Sequence, residues 1–276
     1  MEIDFFFILL VIGTLIASLQ DFKRREIDRW LTYSLLIGGI FHVIVNFFIT
    51  NNTGYLIQGV YVFVVCFLLS NLLYYSKFFA GGDANLLFSM SAFFIGQNFF
   101  ISTLNIFSFL ILLFISGSIY GIVYSTVLYF KNFKNMNIEL KKNYRNSKIK
   151  FLMLVSIPFF VLFIFYRIFL AIGIVLFLFP NLIIFAKTLE SIALEKKIST
   201  KDLRIGDWIK NDIVVDNKVI KSSFYGVTEE DVKLLQKEKE NVIVKDGLPF
   251  APVFFIAVLS SIFFLEKIIS FIFNLF

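Results

Sequence analysis

The segment Phe79-Ala80-Gly81-Gly82-Asp83-Ala84-Asn85 places two glycines and one carboxylate between two long apolar runs. Before Lys131, and apart from the N-terminal tip, the acidic residues in or beside the apolar runs are Asp21, Glu26, Asp28 and Asp83. A carboxylate at a membrane boundary costs free energy, so such a residue is a candidate functional residue with a partner. We expect Asp21 to be the partner of Asp83.

The composition indicates a helical membrane protein. The 276-residue chain is 58% hydrophobic and 19% aromatic, and its mean hydropathy is +0.83. A bilayer core of roughly 30 Å needs about 20 apolar residues per helix. We therefore predict an all-α polytopic membrane protein with about eight transmembrane helices and a small cytosolic α+β insertion before the last one. The predicted spans are 3–19, 30–49, 55–75, 84–95, 103–130, 151–166, 168–186 and one within 248–276.

The apolar stretch from Phe151 to Ala186 is read as two of these spans. A single helix of that length would extend about 54 Å at roughly 1.5 Å per residue, well beyond a bilayer. We predict a tight hairpin that turns near Arg167. The membrane domain is then 1–186, the cytosolic domain 187–247 and the C-terminal helical segment 248–276.

The predicted cytosolic domain has the composition of a soluble protein. Leu203–Ile209, Ile213–Val215 and Asn241–Val244 are predicted to form strands. Thr228-Glu229-Glu230-Asp231 is typical of a capping box, which predicts a helix that extends to about Lys239. Because so short a segment buries little core of its own, we expect it to rest on the membrane domain or on a partner.

The distribution of basic residues predicts the topology. All but two of the 26 lysines and arginines lie in loops that the eight-span arrangement places on one side, the exceptions being Arg167 and Lys267. The positive-inside rule then places both termini outside and residues 187–247 in the cytoplasm. Asp21 and Asp83 are predicted to share the cytoplasmic face of the cell membrane.

Two carboxyls at hydrogen-bonding distance do not both ionise cheaply, so one keeps a proton while the other acts as a base. This state suits peptide hydrolysis, in which the carboxylate takes a proton from water and the acid polarises the scissile carbonyl. Gly81 and Gly82 lack Cβ atoms, which permits unusual dihedrals and a close substrate. Asp21 could instead pair with the adjacent lysine and arginines, and Gly81-Gly82-Asp83 could be an ordinary turn.

Several other classes of site are disfavoured. The basic loops predict topology rather than nucleic-acid binding, and Cys66 and His42 are the single cysteine and histidine, so no metal site is expected. His42 lies on an apolar run and is assigned to helix packing. An acidic N-terminus argues against a cleaved signal peptide.

Two motifs resemble the archaeal preflagellin and type IV prepilin peptidases, which are class III signal peptidases of the GxGD aspartyl protease group. Ala17–Ile27 resembles the end of their first helix, where an aspartate is followed by a basic loop and an isoleucine. Gly81-Gly82-Asp83-Ala84-Asn85 is similar to their GxGD motif. Ala80 replaces its first glycine, and Asn85 replaces a lysine. The segments Asp202–Asp207 and Gly247–Pro252 also resemble archaeal members.

The resemblance implies that Asp21 and Asp83 are the catalytic pair, with Gly81 and Gly82 as active-site backbone and no metal or organic cofactor. The implied substrates are membrane-inserted archaellin or pilin precursors with a short basic leader, cut at the cytoplasmic face. Glu26 and Asp28 lie in the charged loop, as solvated residues or as contacts for the leader. The zinc-binding cysteine loop of bacterial relatives is absent, which argues against their N-methyltransferase activity. The oligomeric state is left open.

Three alternatives remain. A presenilin-like intramembrane protease would have tyrosine before the first aspartate, where this chain has Gln20. A transporter could use Asp21 and Asp83 as a proton or cation relay, although the glycine-aspartate feature is not repeated in a second half. An inactive scaffold of a pilus assembly system is the third.

Overall fold

The computed structural model describes residues 5–146, 150–162, 166–215, 218–223, 226–239 and 241–273. In chain order its helices are α1 Phe5–Arg24, α2 Arg29–Thr50, α3 Thr53–Tyr75, α4 Gly81–Ser89, α5 Phe99–Lys131, α6 Phe133–Asn146, α7 Lys150–Leu162, α8 Ile168–Leu189, α9 Glu229–Glu238 and α10 Ala251–Phe273. The strands are β1 Glu195–Ser199, β2 Trp208–Ile209, β3 Ile213–Val215, β4 Lys218–Ile220 and β5 Asn241–Lys245. A 3₁₀ turn (Ser91–Phe94) follows α4, and a π-helical turn (Glu190–Leu194) follows α8.

Six helices of the described residues are long and apolar enough to cross a membrane: α1, α2, α3, α5, α8 with its π-helical turn, and α10. They confirm the prediction of a polytopic α-helical membrane protein. The count of eight is not confirmed. Where a span was predicted at 84–95, the nine-residue α4 covers only about 13 Å at roughly 1.5 Å per residue. At the span predicted over 151–166, the 13-residue α7 covers Lys150–Leu162, and residues 163–165 lie outside the described part.

The chain divides into two units, residues 1–121 with 248–276 and residues 122–247. In the first unit, α1 packs against α2 and α10, while α4 packs against α2 and α3. Leu10, Leu86 and Phe254 are fully buried in its core. Gly13 lets α1 approach α2 closely, because a Cβ atom there would lie 2.5 Å from Cδ2 of Leu35. These contacts fix the end of α1 and the start of α4, where the two aspartates lie.

In the second unit, α7 and α8 pack against each other as a helical hairpin, with the rings of Phe159 and Phe169 6.1 Å apart. The backbone N–H of Phe169 donates to the carbonyl of Tyr166 at 3.1 Å, so the chain turns beside Arg167. Helix α6 packs against α8, and Asn143 Nδ2 donates to the Thr188 hydroxyl at 3.0 Å.

The small insertion before the last helix contains a sheet, as predicted. Its strand order is β1-β5-β2, with both pairings antiparallel, and β3-β4 forms a separate hairpin. Thr228 and Asp231 make the predicted capping box at the start of α9. Nine apolar residues form a core within this insertion: Leu203, Ile209, Val215, Ile220, Val227, Val232, Leu235, Val242 and Val244. The segment therefore buries more of its own apolar surface than its length suggested.

The predicted strand at Leu203–Ile209 is wrong for its first part. Only Trp208 and Ile209 pair with β5, and the preceding residues form a turn. Gly206 has φ +93°, a left-handed conformation that a strand does not contain. Gly206 N–H donates to the Val227 carbonyl at 2.9 Å, and Val227 N–H donates to the Asp207 carbonyl at 3.0 Å. The alternating apolar pattern therefore belongs to a turn that contributes Leu203 to the core.

Candidate active site

Asp21 lies in the last turn of α1, and its side chain is directed into the protein. Only 8% of its surface is exposed. Its Oδ2 atom accepts a hydrogen bond from the backbone N–H of Ala251 at 2.9 Å, and the backbone N–H of Phe250 also interacts with the carboxyl group. Ala251 is the first residue of α10, so Asp21 satisfies one of the N–H groups that a helix start leaves without an intrahelical partner. Residues 230 positions apart in the chain thus meet at this carboxylate.

Asp83 is the third residue of α4 and is equally buried, with 8% of its surface exposed. Its carboxyl group accepts from the backbone N–H of Ala80, the residue that caps the helix. A carboxylate at this position commonly reaches back to the N-cap N–H and thereby completes one half of a capping box. Asp83 is consequently fixed by the start of its own helix.

The aspartates interact with each other. Burial, followed by the negative charge of Asp21, raises the pKa of Asp83 to about 7. Asp83 belongs to α4, which is not one of the six membrane-length helices. Two neighbouring carboxyls in an apolar core resist holding two negative charges, since desolvation and repulsion both favour the neutral form of one of them. Both effects therefore favour a proton on one member of the pair.

Aromatic packing holds the two helix starts together. The ring of Phe79, which precedes α4, lies 5.5 Å from that of Phe250 and 5.8 Å from that of Phe254. Phe250 and Phe254 are in turn 5.9 Å apart in an edge-to-face arrangement, and such aromatic pairs add about 0.5–1.5 kcal/mol each beyond area burial. The cluster joins the segment that carries Asp83 to the helix start that binds Asp21.

A second contact joins the loop after α1 to the start of α4. A Cβ atom on Gly82 would lie 3.4 Å from Cβ of Ile27, at the tight end of ordinary van der Waals contact. Gly81 has more room, with Tyr74 Cε2 at 3.7 Å. Both glycines are helical, and neither is among the residues with positive φ. The expectation of unusual dihedrals at Gly81 and Gly82 is wrong. A Cβ atom at Gly82 would make an ordinary contact with Ile27, so this contact does not require glycine.

Ala80 has φ −70° and ψ 163°, an extended conformation that any residue adopts. Its contribution to Asp83 is made by its backbone N–H, so the substitution for the first glycine of the GxGD motif leaves this contact unchanged. Asn85 is exposed. It lines a cavity of about 290 Å³ between α3 and α4, together with Phe67, Ser70, Asn71, Tyr74, Tyr75, Gly81, Ala84 and Phe88. Ala84, the residue that follows Asp83, is therefore part of the cavity wall.

Asp28 is the centre of a group of hydrogen bonds that connects the end of α1 to the start of α2. Its Oδ2 atom accepts from Gln20 Nε2 at 3.0 Å, from Arg24 Nη2 at 2.6 Å and from Trp30 Nε1 at 3.1 Å. Its backbone N–H donates to Gln20 Oε1 at 3.0 Å. The hydrogen bond from Arg24 lowers the pKa of Asp28. Glu26, in the same loop, is exposed.

No group of three or more His, Cys, Asp or Glu side chains that could hold a metal ion occurs among the described residues. His42, assigned to packing, stacks on Phe6 at 5.2 Å, and its Nε2 atom lies 3.1 Å from Nδ2 of Asn46. It lines a larger cavity of about 620 Å³ near the beginning of α1, whereas Asp21 lies at that helix's end.

Sequence reasoning missed the groups that hold the pair in place. Phe79 and Phe250 hold the pair in place by packing, and Ala251 does so by its backbone N–H. A residue pattern does not reveal interactions of either kind. The signal available was the Gly247–Pro252 segment, whose resemblance to archaeal members pointed to the start of α10 without assigning it a role. Ile27 likewise belonged to the first motif.

Comparison with known proteins supports the resemblance. Residues 8–126, which contain both aspartates, match the type IV leader peptidase family. The preflagellin peptidase of Methanocaldococcus jannaschii is 36% identical over 86 residues, which is 31% of this chain and 36% of that protein. The Methanococcus maripaludis preflagellin peptidase is 31% identical over 86 residues (31% and 37% of the two chains). That of Methanococcus voltae is 29% identical over 133 residues (45% and 57%).

The matched stretches span between 36% and 57% of the length of these relatives. The resemblance to the type IV leader peptidase family, first inferred from the two aspartate motifs, is thereby confirmed for the part of the chain that carries them.

Proposed function

We propose that this protein is a membrane aspartic endopeptidase that removes short basic leader peptides from archaellin- or pilin-like precursors. The observation that carries the proposal is the pair of buried, interacting carboxylates, Asp21 and Asp83, within the segment that matches the type IV leader peptidase family. The relatives named preflagellin peptidase point to precursors of this class.

In the proposed reaction, one carboxylate takes a proton from water as the water oxygen attacks the scissile carbonyl carbon. The other, protonated, carboxyl donates its proton to the carbonyl oxygen, which gives a tetrahedral diol. The first carboxyl then protonates the departing amine nitrogen as the C–N bond breaks, and the second takes a proton back from the diol. The products are a free carboxylic acid and an amine, and the pair returns to its starting state.

The loop between α1 and α2 is proposed to contact the basic leader. Glu26 is exposed and forms no salt bridge among the described residues, while Asp28 holds the loop in place through Gln20, Arg24 and Trp30. The cavity beside Asn85 is also lined by Ala84, the residue that follows Asp83, and would receive the residues close to the scissile bond. Because the family's lysine is replaced by neutral Asn85, precursors with a basic residue near the cut are not repelled there.

We place the site at the cytoplasmic face of the cell membrane, since the positive-inside rule, applied to the predicted eight-span arrangement, puts the lysine- and arginine-rich loops there. A leader made on the ribosome would then be cut before its hydrophobic helix is assembled outside. Residues 187–247 are placed on the same side by the same rule.

The test is cleavage of a co-expressed archaellin or pilin precursor by the wild-type protein, Asp21→Asn and Asp83→Asn, read as a mobility shift with membrane insertion of each variant verified. We expect wild-type processing and no processing by either variant. If both variants process the precursor at the wild-type rate, the aspartic peptidase is excluded. Solute transport by reconstituted protein that both changes abolish would favour the relay instead. Cleavage within the precursor's transmembrane helix would indicate a presenilin-like protease.

A further inference from the structure

The two aspartates differ in what surrounds them. Asp21 accepts the N–H of Ala251 at 2.9 Å, at the first residue of the 23-residue α10. The start of a helix carries a partial positive charge because its first N–H groups lack intrahelical acceptors. The N–H groups at the start of α10 therefore stabilise a negative charge on Asp21, while the end of α1, where Asp21 lies, acts against it.

A cation lies on the same side. Arg25 follows α1 with φ +58°, an uncommon value for a residue other than glycine. Its backbone N–H donates to the carbonyl of Asp21 at 3.0 Å. This turn keeps Arg25 beside Asp21, and its positive charge acts on the Asp21 carboxyl. The same loop then continues to Ile27, which contacts Gly82.

Asp83 also lies at a helix start, that of the nine-residue α4, but the charge that acts on its carboxyl is negative. The negative charge of Asp21 acts on the Asp83 carboxyl. This carboxyl also accepts a hydrogen bond from the backbone N–H of Ala80, the N-cap of α4. The charged residues on or next to the surrounding helix ends are Lys23, Arg24, Arg25, Glu26, Asp28, Arg29 and Lys77. Of these, Arg25 interacts electrostatically with the Asp21 carboxyl, while Arg24 forms an ion pair with Asp28.

We propose that Arg25 and the start of α10 make the pair asymmetric, so that Asp21 is its ionised member and Asp83 its protonated member. Arg25 is thus a positioning residue that acts through Asp21. In the reaction proposed above, on which these roles rest, Asp21 takes the proton from the attacking water. Asp83 gives its proton to the carbonyl oxygen and recovers one when the diol collapses.

Difference infrared spectroscopy of the purified full-length protein at mildly acidic pH tests the location of the proton without any substrate. A protonated carboxyl gives a C=O stretch that an ionised carboxylate lacks. We expect this band in the wild-type protein, its loss in Asp83→Asn and its retention in Asp21→Asn. Loss in Asp21→Asn with retention in Asp83→Asn, or no change in either variant, overturns the assignment. If the bands behave as expected but no precursor is cleaved, the proposed function fails while the asymmetry stands.

A matched set of variants tests Arg25. Arg25→Gln removes the positive charge, and Arg25→Lys keeps it. Arginine, glutamine and lysine are all strained to a similar degree at φ +58°, so backbone strain does not distinguish the variants. Lys23→Gln removes an equal charge from an exposed position nearby. We expect the acid limb of the pH–rate profile to move to higher pH in Arg25→Gln, and to return in Arg25→Lys. Lys23→Gln should leave the limb in place. A uniform loss of kcat with an unmoved profile in Arg25→Gln would falsify the electrostatic role.

Discussion

Among the described residues, two pairs of interacting aspartates lie in very different surroundings. Asp21 and Asp83 lie buried between helix ends, each with 8% of its surface exposed. Asp207 and Asp246 lie half-buried at the small sheet, among lysines and turns. In both places burial raises the pKa of one member, Asp83 or Asp207, and the charge of its neighbour raises it further.

The two pairs differ in the groups that balance the negative charges of their carboxylates. Asp246 forms an ion pair with Lys196, and Asp207 Oδ2 accepts the backbone N–H of Arg204 at 2.8 Å, which closes a turn. Each of these carboxylates has a structural partner of its own. In the helical pair, Arg25 acts on Asp21, whereas the charge that acts on Asp83 is the negative charge of Asp21, so a proton on Asp83 completes the charge balance. A carboxylate pair thus becomes a candidate for acid–base chemistry when its surroundings supply too few positive charges.

The largest expected effect contrasts these pairs directly. Asp21→Asn and Asp83→Asn should each lower the rate of precursor cleavage by about 10³-fold or more, since general acid–base groups contribute roughly 10²–10⁴-fold. Asp207→Asn should leave cleavage within about twofold, as expected for substitutions away from a site. Initial rates in detergent micelles measure all three. Equal losses at Asp207 and Asp83 would remove the distinction between the pairs.

The pH dependence of cleavage should follow the proton on Asp83. Its pKa is raised to about 7, so the singly protonated pair exists below that pH and is lost as the pH rises through it. The cleavage rate should therefore fall on the alkaline side of neutrality. The raised pKa also means that this carboxyl costs stability as the pH rises from its ordinary value through about 7. A rate that rises across this range would contradict the assignment of an acid to the pair.

The turn that holds Asp207 should be sensitive to glycine substitution in a graded way. Gly226 has φ +73°, and a Cβ atom there would collide with the backbone carbonyl of Gly206. We expect Gly226→Ala to destabilise the insertion by about 3 kcal/mol, from strain together with displaced backbone. Gly206→Ala meets strain alone and should cost about 1 kcal/mol.

Limited proteolysis of the full-length protein within residues 195–246 measures this series. Gly247→Ala is the control, since a Cβ atom there meets nothing within 4 Å. If the charge balance of the helical pair is independent of the insertion, the folded fraction of each glycine variant should keep the wild-type pH profile of cleavage. A changed profile in Gly226→Ala would show that the insertion influences the charge balance of the helical pair.

The smallest effect is expected at Ala80. Its dihedral angles do not require glycine, and its N–H reaches Asp83 whichever residue is present. Ala80→Gly, which restores the family's first glycine, should change the cleavage rate by less than about twofold. Glycine is also a better N-cap than alanine, so stability should not fall. A tenfold gain in kcat would show that Ala80 limits the site.

The sequence determined the parts of this protein that depend on local pattern. Long apolar runs predicted six of the helices correctly, and Thr228 with Asp231 predicted the start of α9, because both signals involve neighbouring residues. The two aspartates stood out because charge is rare in apolar runs. Shorter apolar runs predict spans less well: the run at 84–95 contains the nine-residue α4, and the span predicted at 151–166 stays a prediction.

Only the tertiary structure decided what surrounds each aspartate. The contact of Asp21 with Ala251 joins residues 230 positions apart, and it is made by a backbone N–H that every residue except proline possesses. The packing of Phe79 on Phe250 and Phe254 depends on which of the chain's 39 phenylalanines face each other. The sequence therefore identified the acidic pair, while the fold supplied the helix start and the arginine that distinguish its members.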